Sequence, residues 1–258
     1  MKSIYFTSTV FLILSIVYSC QSASEKSKTN SEQQKTEASE VSAGDFKKLA
    51  INPCNFIDET LVTKHFNVAA KDLEKDEHVN ERLSSYDHCT YKWEKENIDS
   101  INKRNQKILL DAMKSGNTKN AIKAGMAVEQ THKLVGVTNL KLYEDLEKAR
   151  KYFENSHKKP SKEDLEKLNK EFDKQAEKKD LSEKQKEVGK DLGGGISENL
   201  KFQKIEGLGD YAYWDDLGSK VDVLIGKIQF GVKIHTGEGT KKDIEMATII
   251  AKEILSKL

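Results

Sequence analysis

Apolar residues recur at recognisable periods along most of the chain, and the period changes several times. The C-terminal end is the clearest. Val221, Val223 and Ile225 alternate, Gly226-Lys227 supplies a two-residue type II′ turn, and Ile228, Phe230, Val232 and Ile234 alternate again. This predicts a β-hairpin with one core face. Gly237-Glu238-Gly239 breaks the alternation. Thr240 is then expected to cap a helix over 241–257, where Ile244, Ala247, Ile250, Ala251, Ile254, Leu255 and Leu258 form a broad apolar stripe that would cover the sheet. Residues 201–205 read as a further short strand. Near the other end, Asp58-Glu59 opens an amphipathic helix reaching Phe66. Residues 68–85 are polar and read as irregular. From Ser85 to Glu94 the chain alternates, with Tyr86, His88, Thr90 and Lys92 on one side and Cys89, Tyr91 and Trp93 on the other. That is a strand with an aromatic core face. Residues 132–142 look extended and are expected to return to the sheet.

Between about 97 and 200 the composition shifts to helix formers with dense, mixed charge. The period predicts a helix over 98–114, carrying Ile101, Ile108, Leu109 and Met113 and ended by Gly116-Asn117. A weaker one covers 119–127. Residues 143–157 follow, with Leu146, Ala149, Tyr152 and Phe153 on one face. Pro160 marks a fresh start. Ser161 and Asp164 make a capping box for a helix to Lys178 with a narrow stripe of Leu165, Leu168 and Phe172. Ser182 caps a last, short one that is expected to stop at Gly193-Gly194-Gly195. Glu163–Lys167 and Glu166–Lys170 sit at i,i+4 spacing, so this stretch reads as a solvated helical pair with one side buried. A partner-binding coiled coil is the alternative. The fold class expected is α+β: an antiparallel sheet with flanking helices and a charged helical insertion, in one domain over residues 46–258.

The first twenty residues read as an address. Lys2 supplies a positive start, and an apolar run broken only by hydroxyl residues extends from Ile4 to Tyr18. At about 15 residues it suits a signal-peptide core better than a spanning helix. It ends in Val17-Tyr18-Ser19-Cys20, which resembles the lipobox of bacterial lipoproteins; Tyr18 departs from the smaller residue usual there. The resemblance implies a leader over 1–19, cleavage before Cys20 and acylation of that cysteine, palmitate included. Two or three acyl chains anchor stably where one does not. Residues 21–45 are nearly all Ser, Glu, Lys, Gln, Thr, Asn or Ala and have almost nothing to bury. With Cys20 at its head, this segment reads as a disordered tether whose ends lie roughly 25–30 Å apart.

Two further cysteines, Cys54 and Cys89, would meet an oxidising compartment in an exported chain and are expected to pair. The rival is a metal site using His88, Cys89 and His78 or His65, but no CxxC or HxxxH spacing supports it. The one distinctive motif is Gly207-Leu208-Gly209-Asp210-Tyr211-Ala212-Tyr213-Trp214. Its glycines suit a tight turn, Asp210 can bond its own turn backbone, and the rings carry large apolar area with polar tips. It reads as a structured turn plus aromatic core. The sharper alternative is a ligand or partner surface built from Asp210, Tyr211, Tyr213 and Trp214. The order Pro53-Cys54, then Cys89-Thr90-Tyr91-Lys92-Trp93, then this motif, a hairpin and a final helix resembles a group of envelope lipoproteins of the Bacteroidota. The resemblance spans roughly residues 50–258. It implies an α+β domain with an antiparallel sheet and flanking helices, and no activity.

Composition narrows the picture further. There are 43 Lys+Arg against 42 Asp+Glu, a net charge of +1, so nucleic acid is not an expected partner. With 36% hydrophobic and 33% charged residues, a multi-pass membrane protein is excluded. GxSxG, HExxH and a strand-linked GxGxxG are absent, and Gly237-Glu238-Gly239-Thr240-Lys241 lacks the spacing of a phosphate loop. Calcium at Asp210, Asp215 and Asp216 lacks loop spacing too. The expectation is therefore no catalytic residue, metal or cofactor. The chain reads as a lipid-anchored envelope protein, outer membrane favoured and facing periplasm or cell surface. Its role would be non-catalytic, binding or structural, with a protein or small molecule as partner. An envelope enzyme acting on glycan, peptide or lipid is the alternative.

Overall fold

The computed structural model describes residues 43–79, 87–115, 120, 124–125 and 127–258. The leader, Cys20, the tether up to residue 42, Tyr86 and most of the helix expected over 119–127 lie outside the described residues. Two compact units form. One is Lys159–Leu200; the other joins the described residues up to Lys158 with Lys201–Leu258.

The larger unit contains α1 (Ala43–Ala50), α2 (Glu59–Phe66), β1 (Glu74–His78), β2 (His88–Glu94), α3 (Ile98–Lys114), β3 (His132–Leu142) and α4 (Leu146–Ser156). The smaller unit follows, with α5 (Lys162–Lys178) and α6 (Glu183–Asn199). The chain then returns through β4 (Phe202–Lys204), β5 (Tyr211–Asp215), β6 (Lys220–Ile225), β7 (Ile228–His235) and α7 (Thr240–Leu255). The strands make one seven-stranded sheet in the order β1-β2-β3-β7-β6-β5-β4, antiparallel at every pairing. The fold is α+β, as the periodicities predict.

Alternation decides which side chains meet. Cys89, Tyr91 and Trp93 of β2 share a face with Val135 and Val137, Val232 and Ile234, Val221 and Val223, and Ala212 and Trp214. Ala247, Ile250, Ala251 and Ile254 of α7 cover that face against β6 and β7. Each fully buried valine or isoleucine among them contributes roughly 1.5–3 kcal/mol. The hairpin pairs Ile225 with Ile228 across Gly226-Lys227, and Gly226 takes φ +55°, the left-handed value a type II′ turn asks of its first central residue. Cys54 lies in a 3₁₀ turn, Pro53–Asn55, capped by the Asn52 side chain, and forms a disulfide with Cys89 at a Cα separation of 5.1 Å. The staple therefore holds the turn before α2, rather than α2 itself, to β2.

Four boundaries differ from the pattern. β1 occupies the polar stretch read as irregular. Its sequence, Glu-Lys-Asp-Glu-His, is charged on both faces, so it carries no period-two signal; edge strands are protected by that very composition. α1 starts at Ala43, inside the segment read as tether, because Phe46 reaches the core and packs against Phe56 at 5.7 Å. α6 runs through Gly193-Gly194-Gly195 to Asn199. Glycine weakens a helix by about 1 kcal/mol relative to alanine without forbidding it. Finally, the cap of α7 is Gly239 (φ +97°), with Thr240 the first helical residue. The start of α7 is instead held by buried Asp243, whose Oδ1 accepts from Thr236 N–H (2.7 Å) and Thr236 Oγ1 (2.6 Å). A carboxylate in the first turns of a helix also suits its dipole.

In the smaller unit, α5 and α6 each carry a capping box, Ser161 with Asp164 and Ser182 with Gln185. Phe172, Ala176, Leu181 and Leu192 form its core. Gly189 makes this packing fit, since a Cβ there would lie 2.3 Å from Phe172 Cζ. In α3, Ile101 is buried, whereas Leu109, Leu110 and Met113 face outward.

Candidate functional site

The second face of the sheet is where polar groups converge. Tyr211 and Tyr213 of β5 and Asp222 and Leu224 of β6 point to it, opposite Ala212, Trp214, Val221 and Val223. α4 covers it with Ala149 and Phe153. Just past α4, His157 turns its ring over the same face. Its Nε2 lies 3.0 Å from Asp222 Oδ2 and its Nδ1 2.7 Å from the Phe153 carbonyl. Both partners accept, so each ring nitrogen bonds its partner when it carries the hydrogen, and the Ser156 hydroxyl lies 3.3 Å from Nδ1 as well. Lys220 Nζ donates to Asp222 Oδ2 at 2.6 Å, and Asn139 Nδ2 donates to Oδ1 at 2.9 Å.

Local backbone features make this cluster fit. The register between β3 and β7 shifts between Thr138 and Lys141, and Asn139 sits there at φ +56°. The bulge re-aims the Asn139 side chain toward Asp222. Gly231, paired with Asp222, leaves the room; a Cβ there would stand 2.7 Å from Asp222 Oδ1. Rings close the rest. Tyr213 stacks on His157 at 5.2 Å and 11°, and Phe202 meets its edge at 5.4 Å. Burial pushes the Asp222 carboxyl upward, but Lys220 and His157 outweigh it and hold the group far below the usual carboxylate range. The His157 and Asp222 side chains are only 4% and 3% exposed. The cluster has the residue types of acid–base chemistry, yet its histidine and carboxylate are buried and only Lys220, at 14%, keeps some exposure.

The Gly207–Trp214 motif divides among several roles. Gly207 and Gly209 take φ +70° and +62°, the turn geometry expected. Asp210 does not bond its own turn. Its Oδ2 accepts from Gly226 N–H at 2.7 Å, while its backbone N–H donates to Leu224 O, so the motif is pinned to the tip of the β6–β7 hairpin. Leu208 and Trp214 lie in the main core, with Trp214 Nε1 donating to Asp216 Oδ1 at 3.1 Å. Tyr211 and Tyr213 are half-buried against the second core. The four residues Asp210, Tyr211, Tyr213 and Trp214 therefore do not converge on one opening: they point to opposite faces of β5 or to the neighbouring turn.

An open cleft lies elsewhere on the larger unit. It has a volume of about 660 Å³ and lies among α1, the end of β3 and the β6–β7 turn. Phe46, Ala50, Leu140, Leu142 and Tyr143 supply apolar walls, with the exposed Ile51 beside them, and Lys47, Asp87, Glu144 and Lys227 supply polar groups of both signs. The walls are braced. Tyr143 donates to Gln229 Oε1 at 2.7 Å, and Lys227 Nζ donates to Glu144 O at 2.8 Å. Burial raises the Tyr143 hydroxyl well above its ordinary range, so it remains a neutral donor. Behind it, Lys141 Nζ lies over the rings of Tyr143 and Tyr152 at 4.4 and 4.0 Å.

Sequence reasoning did not single out this cleft or the Asp222 cluster. Asp222 alone left a trace, since aspartate is disfavoured in the middle of a valine-rich strand. No protein-family model, curated protein or solved structure matches this chain.

Proposed function

We propose that this is a lipid-anchored cell-envelope protein with a non-catalytic binding role, acylated at Cys20 and tethered through the residues before α1. The observation that carries the binding reading is the apolar cleft beside α1. Its walls suit a partner with an apolar body, and Lys47, Asp87, Glu144 and Lys227 offer charges of both signs to a polar end. The Cys54–Cys89 disulfide is the chemistry of an oxidising compartment and supports export. Among the described residues no helix is long and apolar enough to cross a membrane. The burial of His157 and Asp222, at 4% and 3% side-chain exposure, suits a structural brace and supports the cleft as the binding part of the larger unit.

Native mass spectrometry of protein extracted in detergent from its own host tests the reading. The expected spectrum shows acyl mass on Cys20, the loss of two hydrogens for the disulfide and a co-purifying mass that Ala50→Arg removes. Unmodified Cys20 refutes the anchor. A co-purifying mass that survives Ala50→Arg refutes the cleft.

A further inference from the structure

Asp76, His78 and His88 occupy adjacent corners of one patch on the sheet edge. His78 of β1 is directly opposite His88 of β2 in the antiparallel register, and Asp76 is two residues along β1 from His78. Directly opposed and i,i+2 positions point to the same face. Cys89 points to the other face and is held in the disulfide, so it belongs to no ligand set here.

We propose that these three side chains bind one divalent first-row transition cation, with Zn²⁺ and Cu²⁺ as the ions to probe. The spacing carries the argument. Two atoms bonded to one tetrahedral metal at 2.0–2.2 Å stand about 3.4 Å apart, and two imidazoles on it have ring centres about 5.2 Å apart. Asp76 Oδ1 and His88 Nε2 are 3.7 Å apart, and the His78 and His88 ring centres are 5.6 Å apart. The distances are thus close to those of a loaded site. Orientation is the missing part: the rings lie stacked at 24°, and among the described residues no three ligand side chains already converge on one point. His78 is solvent-exposed, so turning its ring gives up the stacking on His88 and disturbs no buried packing. Lys92 Nζ donates to the other Asp76 oxygen, Oδ2, at 2.8 Å, which leaves Oδ1 for the metal but places a cation nearby. Bound metal would clip the charged edge strand β1 onto β2, with water completing the coordination.

The test uses the full chain, with Zn²⁺ titrated by calorimetry and Cu²⁺ followed by electron paramagnetic resonance. One site per chain is expected, with a Kd on the order of 10 µM. His78→Ala and His88→Ala should each weaken it at least roughly tenfold and reduce two nitrogen ligands on Cu²⁺ to one. His132→Ala should change neither readout. Lys92→Met should tighten binding severalfold, a gain that misfolding cannot imitate. Saturation only above millimolar metal, or affinity and spectrum unchanged in the His78→Ala, His88→Ala double variant, would overturn the proposal. No gain in Lys92→Met would remove Asp76 from the site and overturn the three-ligand assignment.

Discussion

Replacing Asp222 with asparagine keeps the shape of the side chain and removes only its charge. In the native protein that carboxylate takes Lys220 at 2.6 Å, Asn139 at 2.9 Å and His157 at 3.0 Å, and the residue is buried. The amide can accept at one atom only, and its NH₂ group must face a donor. Lys220 then remains as a largely buried cation without an anion, and His157 Nε2 loses its carboxylate partner. Breaking a buried ion pair from one side costs about 3–5 kcal/mol, and the lower end applies because the Lys220 side chain keeps 14% exposure. At about 2–4 °C per kcal/mol for a domain of this size, Asp222→Asn should lower Tm by roughly 6–12 °C. Urea unfolding followed by circular dichroism measures the loss directly. Adding Lys220→Met should recover part of it, because the stranded charge disappears. The Asp222 carboxyl lies below its unfolded value of about 3.9, so its contribution is complete above that pH and falls as the pH drops toward the lowered folded value. The gap between wild type and variant should therefore hold from neutral pH to about 4 and shrink below it. A loss under about 1 kcal/mol, or no recovery with Lys220→Met, would refute the account of this cluster as a charge-balanced brace.

Three further outcomes follow from the structure. Removing the disulfide with Cys54→Ser and Cys89→Ser frees a loop of sequence separation 35, so stability should fall by roughly 4 kcal/mol in denaturant titrations. Gly136→Ala should cost about 1–3 kcal/mol, because its Cβ would stand 2.5 Å from Thr90 Oγ1 and 2.6 Å from the Cys89 carbonyl, forcing β2 and β3 apart; an unchanged Tm would contradict that contact. His235 is held below its ordinary pKa of 6.5 by burial and then by Lys95, against the pull of Asp243 and Glu129. Its folded value being lower, its contribution is present above 6.5 and is lost as pH falls below it; a His235→Asn protein should show a flatter stability profile from pH 7 to pH 5.

The elements that were legible in the sequence are those whose information is local. The β6–β7 hairpin is written in two alternating runs around Gly226-Lys227, α7 in a stripe at helical spacing, and α5 in its capping box. Each follows from a repeat of two or 3.6 residues, because one buried face demands it. The pairing of Cys54 with Cys89 was legible from there being two cysteines beyond Cys20 in a chain expected to be exported. β1 was not legible, since an exposed edge needs no apolar alternation. The end of α6 was misplaced because glycine lowers helix propensity without setting a boundary when the chain continues to bond.

The tertiary structure alone decided what surrounds each side chain. Asp222 acquires its environment from Asn139, 83 residues away, and His157, 65 residues away, through a bulge and a strand order that brings β3 beside β7. Tyr213 and Trp214 are neighbours in the chain and end in different cores, because a strand sends successive side chains to opposite faces. Asp76, His78 and His88 likewise meet only through the β1–β2 register. The sequence by itself determined those helices and strands that line a core, because one buried face imposes its period on the residues that line it; the charged edge strand β1 carries no such period. Register, bulges and strand order determined which polar groups share a site, because contacts between distant segments leave no period along the chain.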